Sequence, residues 1–305
     1  MPELPEVETV RRMLEANVLG RTIRAVRISG LRLREPIPHD LSRRLTGRRF
    51  VAVLRRGKYL VLDLEGGLSL LSHLGMSGRW LFHPRAPRAP MAHVHARIRF
   101  GDGSQLWFQD PRRFGLLRVA GTGGLAADPS LALLGIDPVQ DPPTGAALRA
   151  LAEGSRVSVK GFLLDQRRIA GIGNIYASEI LHRAGQDPRT PAGAVRPERW
   201  TRIAREMRAV LEEAIERCGT TFSAYRTLWG QPGGYGDRLR VYDRAGEPCG
   251  SCAGTVRRIV QGARSTFYCP RCQTARPGPD SPAGGPGRRA ARPRTARPLR
   301  SAGLG

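Results

Sequence analysis

Apolar residues recur at steps of three and four near the N-terminus: Val7, Val10, Leu14 and Val18, followed by Gly20. This spacing predicts a helix over 6–18 that the glycine ends. From Thr22 to Ala120 the period shortens. Short β-type runs occur at 50–54, 59–64 and 68–71, with Gly66 and Gly67 between the last two. Two more, 97–100 and 105–108, flank Gly101-Asp102-Gly103-Ser104, which predicts a hairpin. Several short strands separated by turns imply a β-sandwich or flattened barrel.

Past a Pro-, Gly- and Asp-rich stretch at 135–145 the period becomes helical. Trp200, Ile203, Met207, Val210, Leu211 and Ala214 form one face of the clearest helix, which should end near Gly219. Shorter helices are expected over 146–153, 160–166 and 174–184. At Arg240-Val241-Tyr242 and through the cysteine-bearing end the pattern returns to β and turn chemistry. The fold class is therefore α+β. The expected units are a helix plus β-sandwich over 1–135, a helical domain over 136–234, a small metal module over 235–275 and a tail over 276–305.

Composition adds a partner. The 305 residues are 40% hydrophobic, enough to bury a core, and carry a net charge of +24. Such an excess repels itself unless a polyanion is the working partner, and nucleic acid is the usual one. The last thirty residues contain six Pro, six Gly and seven Arg with almost no large apolar side chain, so a disordered basic tail is expected there. There is no run of 18 apolar residues and no signal-peptide pattern, so a protein of the cytosol is expected.

Cys249-x2-Cys252 and Cys269-x2-Cys272 have the spacing of a four-thiolate zinc ribbon. A disulfide pairing competes, but nothing indicates an oxidising compartment. Four sulfurs close the coordination shell, so the expected ion is structural. Cys218 is left over, at the end of an amphipathic helix.

The extreme N-terminus offers chemistry. Loss of Met1 would expose Pro2 as a secondary amine, partly neutral and nucleophilic near neutral pH. Attack on a sugar C1′ by such an amine gives an iminium ion that acidifies C2′. Glu3 and Glu6 follow at once and could exchange a proton with a sugar oxygen or a leaving base. Proline and glutamate also simply favour a first helical turn.

Six segments now carry a resemblance. They are Met1-Pro2-Glu3-Leu4-Pro5-Glu6-Val7-Glu8-Thr9, Arg56-Gly57-Lys58-Tyr59-Leu60, and His73-Leu74-Gly75-Met76-Ser77-Gly78. Further on come Asp110-Pro111-Arg112-Arg113-Phe114-Gly115, Gly171-Ile172-Gly173-Asn174-Ile175-Tyr176-Ala177-Ser178-Glu179, and Arg264-Ser265-Thr266-Phe267-Tyr268-Cys269. In order, and over about residues 1 to 275, the chain resembles bacterial formamidopyrimidine-DNA glycosylase. The resemblance implies a β-sandwich, a helix–two-turns–helix domain and a zinc finger, acting as a monomer on damaged double-stranded DNA. It implies excision of oxidised purines, 8-oxoguanine and formamidopyrimidines, followed by strand cleavage through β- and δ-elimination.

By position, Pro2 resembles the Schiff-base nucleophile, Glu3 the general acid and Glu6 its supporting carboxylate. Lys58 resembles the proton donor of β-elimination and Arg264 that of δ-elimination, although Lys58 alone would read as a solvated charge. Met76, Arg112 and Phe114 resemble residues that fill the void left by an extruded base, where unaided sequence reading would bury Met76 and Phe114 in a core. Phosphate contacts fall by position at His93, Arg112, Arg156, Lys160 and Asn174, with His95 competing for the place of His93. The loop over 227–239 matches a base-capping loop in position more than in residues. An endonuclease VIII-like enzyme for oxidised pyrimidines, or a zinc-ribbon protein that only binds DNA, are the competing functions.

Overall fold

The structure, a computed structural model, describes residues 1–222 and 224–274. The tail expected over 276–305 lies outside the described residues. Helix α1 (Leu4–Val18) starts with Pro5 in its first turn and buries Val7, Val10, Leu14 and Val18 as one stripe. Strands β1 (Ile23–Ile28), β2 (Phe50–Arg56), β3 (Tyr59–Leu64), β4 (Leu68–His73), β5 (Arg79–His83), β6 (Val94–Phe100), β7 (Gln105–Gln109) and β8 (Leu116–Gly121) follow, with short helix α2 (Leu41–Leu45) after β1.

These strands form two four-stranded antiparallel sheets, in the orders β2-β3-β4-β8 and β1-β6-β7-β5. Between them lies a core that includes Phe50, Leu62, Leu70, Trp80, Phe100 and Phe108, with α1 closing one side. The second face of the first sheet is also covered, because Val61 and Leu71 pack there on Leu116 and Leu131. All six residues of β4 are consequently buried. The hairpin between β6 and β7 turns at Gly103, whose φ of +86° favours glycine.

After β8 come α3 (Pro129–Ala132), α4 (Gly145–Ala152), α5 (Val159–Leu164), α6 (Asn174–Arg183) and α7 (Pro197–Glu216). Trp200, Ile203, Met207, Val210, Leu211 and Ala214 of α7 share a second core with Phe162, Tyr176 and Ile180. A hairpin, β9 (Arg257–Gln261) and β10 (Arg264–Tyr268), carries the cysteine-rich end and packs on α6.

At Arg240-Val241-Tyr242 the β expectation fails: no strand forms there. Their amides donate instead to the buried carboxylate of Glu179 on α6, at 2.8, 3.0 and 2.9 Å, so none is left for a ladder. No helix among the described residues is long and apolar enough to cross a membrane.

Candidate active site

The N-terminus is fastened to the loop before α6. Leu4 donates its N–H to the Gly171 carbonyl at 3.0 Å. Glu3, buried, then lays its carboxylate on the amino end of α6. Oε2 accepts from Gly173 N–H (2.8 Å) and Tyr176 N–H (3.4 Å), and Oε1 from Ile175 N–H (3.0 Å). The free amides and the dipole of a helix N-terminus favour such an anion. A Cβ at Gly173 would stand 2.3 Å from the Glu3 carboxyl carbon, so any larger residue there would displace this carboxylate.

One turn on, Glu6 is fully enclosed. It accepts from Glu3 N–H at 2.8 Å, Tyr176 Oη–H at 2.5 Å and Thr220 N–H at 2.7 Å. Burial, reinforced by the charge of Glu3, pushes its carboxyl up to about 7 despite these donors. A folding consequence follows. Between the ordinary value of 4.5 and about 7, the folded chain keeps a proton that the unfolded chain releases, so stability falls as pH rises through that window. The total fall is ~3 kcal/mol. In Glu6→Gln this fall is absent, so the gap in melting temperature between variant and parent should move in the variant's favour from pH 5 to pH 8. A gap independent of pH would contradict the raised carboxyl.

Lys58 sits in the tight turn between β2 and β3 and is buried. Burial lowers its ammonium pKa, against the pull of Glu3 and Glu6 and with help from Arg264. Arg264, at the start of β10, lines a cavity of about 310 Å³ with Met1, Lys58 and His73, and an adjoining one of about 610 Å³ with Glu3, Asn174 and Tyr242. Burial also lowers the pKa of the Met1 amine. The larger cavity therefore gathers Met1, Glu3, Lys58 and Arg264, although they come from three distant parts of the sequence.

On the rim, Met76 lies between β4 and β5, and Arg112 and Phe114 lie between β7 and β8. Met76 is 40% and Phe114 44% exposed, so neither is a core residue. The Arg112 guanidinium lies 4.9 Å from the Phe114 ring centroid. Buried Asp110 joins the two loops by accepting from Ser77 Oγ–H (2.5 Å) and Gly115 N–H (2.7 Å). His93 is exposed, whereas His95 is buried with its ring nitrogens on Ser29 Oγ and the Asp110 carbonyl, both at 3.0 Å.

Family models match residues 1–117 as a formamidopyrimidine-DNA glycosylase N-terminal domain, 134–226 as the H2TH domain of that enzyme, and 246–275 as a zinc finger found in FPG and IleRS. A formamidopyrimidine-DNA glycosylase of Paracoccus denitrificans is 47% identical over 283 residues, covering 90% of this chain and 100% of the relative. One of Methylococcus capsulatus is 45% identical over 274 residues, with the same coverages. The chain belongs to the formamidopyrimidine-DNA glycosylase family. Among solved structures, a Lactococcus lactis Fpg variant in complex with Fapy-dG-containing DNA superposes with a TM-score of 0.82 at 30% identity, covering 89% of this chain and 99% of that one. The MutM (Fpg) protein of Thermus thermophilus gives 0.78 at 41% identity, with coverages of 89% and 98%.

Within this glycosylase fold the four cysteine sulfurs, Cys249, Cys252, Cys269 and Cys272, lie within 4.8 Å of one another. Cys249 and Cys272 are 3.8 Å apart, Cys252 and Cys269 3.5 Å. A tetrahedron with metal–sulfur bonds of about 2.3 Å has edges of about 3.8 Å. The cluster thus fits one structural zinc ion. Cys218 stands apart from it, at the end of α7 with φ +59°.

Two phosphate candidates are placed unlike the others. Lys160 is buried and braces the hairpin, donating from Nζ to the Ser265 carbonyl (2.9 Å) and Thr266 Oγ1 (2.7 Å); burial and Arg264 bring its pKa down to about 8. Asn174 Nδ2–H donates to that same carbonyl at 2.9 Å. Arg156 is exposed before α5 and lines neither cavity beside Lys58 and Arg264. Sequence reading missed Tyr176, Thr220, His73 and Tyr242. The partners of Glu6 lie 170 and 214 residues away along the chain, so no local signal marks them.

Proposed function

We propose that the chain excises oxidised purines, 8-oxoguanine and formamidopyrimidines, from double-stranded DNA and then nicks the strand, working as a monomer in the bacterial cytosol or nucleoid. The observation that carries this is the gathering of the N-terminus, Glu3, Lys58 and Arg264 around one cavity beside an exposed rim of Met76, Arg112 and Phe114.

With Met1 removed, the Pro2 nitrogen attacks C1′ of the damaged nucleotide and the glycosidic bond breaks. Glu3 supplies the proton that lets the base leave. The sugar then opens: C1′–O4′ breaks, the proton given up by the Pro2 nitrogen ends on O4′, and an iminium ion remains between Pro2 and C1′, with Glu6 supporting the amine from its buried position. Loss of a C2′ proton then expels the 3′ phosphate, and a second elimination expels the 5′ phosphate. Lys58, held at lowered pKa, serves the first elimination. Arg264 serves the second, and its permanent charge also clamps phosphate.

Met76, Arg112 and Phe114 fill the gap left by the extruded nucleotide, with Arg112 facing the orphan cytosine. Their exposure at the tips of braced loops supports that role. His93, Arg112, Arg156, Lys160 and Asn174 are the proposed phosphate contacts. The exposure of His93 favours it over His95. For Lys160 and Asn174, bonds to the finger supplement any bond to DNA.

Borohydride trapping on a duplex with one 8-oxoguanine opposite cytosine tests this reading. A covalent protein–DNA adduct from Met1-free protein, lost when the N-terminus is blocked, is the expected result, with Pro2→Gly and one residue added before Pro2 as controls. No adduct from zinc-loaded, Met1-free protein that still binds the duplex would sink it. Trapping only on thymine glycol would instead favour an endonuclease VIII-like activity.

A further inference from the structure

The ring of His182 is the one large polar group that α6 turns towards the metal cluster. It is 4% exposed, and its Nε2 lies 3.4 Å from Sγ of Cys249. Its Nδ1 is buried and has no hydrogen-bond partner. These facts fix the tautomer. A proton on Nδ1 would be an orphaned buried donor and would turn the Nε2 lone pair on the sulfur's own lone pairs. A proton on Nε2 instead makes an N–H···S bond and leaves only an acceptor unfilled.

We propose that His182 is a positioning residue of the metal centre, donating Nε2–H to the Cys249 thiolate from outside the coordination shell. It binds no metal itself, since the four sulfurs already complete a tetrahedron. Such outer donors orient a ligand and withdraw electron density from it. This inference rests on the fit of the cluster to zinc and not on the proposed base-excision chemistry.

The position of the histidine gives the bond a wider consequence. At the other end of the same ten-residue helix, amides at the N-terminus hold the Glu3 carboxylate. Midway, Glu179 holds the amides of Arg240, Val241 and Tyr242, which lead into the finger. Beyond the helix, Gln273 Nε2–H donates to the Gln186 carbonyl at 2.9 Å while its Oε1 accepts from Cys269 N–H at 2.9 Å. His182 is the member of this seam that reaches a ligand's sulfur, where Gln273 reaches the backbone of one, so the metal centre and the helix that holds the Glu3 carboxylate are joined through a side chain.

The test compares zinc-loaded parent protein with His182→Phe and His182→Gln. Phenylalanine keeps an aromatic ring and removes the donor; glutamine places an amide N–H where Nε2–H stood. Competition with a chromogenic chelator should show His182→Phe binding zinc about 10- to 100-fold more weakly, in the range usual for lost outer-shell partners, and His182→Gln recovering much of that. Cobalt-substituted His182→Phe should move its thiolate-to-metal charge-transfer band to lower energy, because the sulfur regains electron density. A mere packing defect would weaken zinc binding in both variants and leave the band in place, and that result would overturn the assignment. So would a His182→Phe protein that holds zinc as tightly as the parent.

Discussion

Glu3→Gln should lower the rate of 8-oxoguanine release by about 10²- to 10⁴-fold, the usual worth of a positioned proton-transfer group, while cleavage of a preformed abasic site persists. The substitution keeps the size of the side chain and removes its exchangeable carboxyl proton. It leaves the Pro2 nitrogen, Lys58 and Arg264 in place, and on an abasic site no base has to depart. The structure adds a constraint on how the result is read. The Glu3 carboxylate accepts three amides of α6, and an amide side chain can offer only one oxygen to them. If that oxygen stays with Gly173 and Tyr176, the new NH2 faces Ile175 N–H, so a loss of about 1–3 kcal/mol in stability accompanies the change. Thermal melting measures that loss separately. Single-turnover assays on the two substrates should then part by orders of magnitude. Equal loss on both would reduce Glu3 to a structural cap of α6, and an unchanged excision rate would remove it from the chemistry.

How far the sequence alone leads differs between scaffold and site. Helix α7 was legible because it buries a single stripe, α1 because its apolar residues recur at steps of three and four although its whole first half is buried, and β2, β3 and the hairpin between β6 and β7 because their runs are bounded by glycines. Strand β1 escaped because the register shifts between Ile23 and Ala25, so its buried positions fall three apart and imitate a helix. In β5 the three central residues, Trp80, Leu81 and Phe82, are all buried, which leaves no alternation to read. The zinc ligands were legible from spacing, since a turn between two cysteines is a local device. The carboxylate site was not. Glu3 and Glu6 acquire their meaning from Gly173, Tyr176 and Thr220, which long-range packing brings to them; the residues alone fitted proton exchange or a plain first helical turn, and the resemblance decided between the two. Met76 and Phe114 show the same limit from the other side. Their apolar side chains suggest a core, and their exposure shows only in the structure, where Asp110 ties their two loops together.

Arg55→Met should destabilise the fold by about 3–5 kcal/mol and disable strand cleavage, although Arg55 touches neither cavity. Its guanidinium is fully buried and uses four of its five N–H donors: Nε donates to Glu8 at 2.9 Å, Nη1 and Nη2 to Asp137 at 2.5 and 3.0 Å, and Nη1 also to the Gly57 carbonyl at 3.1 Å. Asp137 in turn accepts from Gly57 N–H at 3.0 Å. Both polar groups of the residue before Lys58 are therefore gripped, one by the arginine and one by the aspartate that the arginine holds. Removing the cation leaves two buried carboxylates without the partner they share. Glu8 keeps Arg11 and Arg12, whereas Asp137 is left with backbone donors only. An uncompensated buried charge of this kind accounts for the 3–5 kcal/mol, a melting temperature lower by roughly 10 °C. A second variant separates charge from geometry. Arg55→Lys restores one positive charge but cannot bridge Asp137 and Glu8 together. It should recover part of the stability and little of the β-elimination rate, because the turn that aims Lys58 stays loose. A lysine variant with full cleavage would show that the network serves stability alone, and a methionine variant that melts with the parent would show that Asp137 takes up a proton and needs no cation.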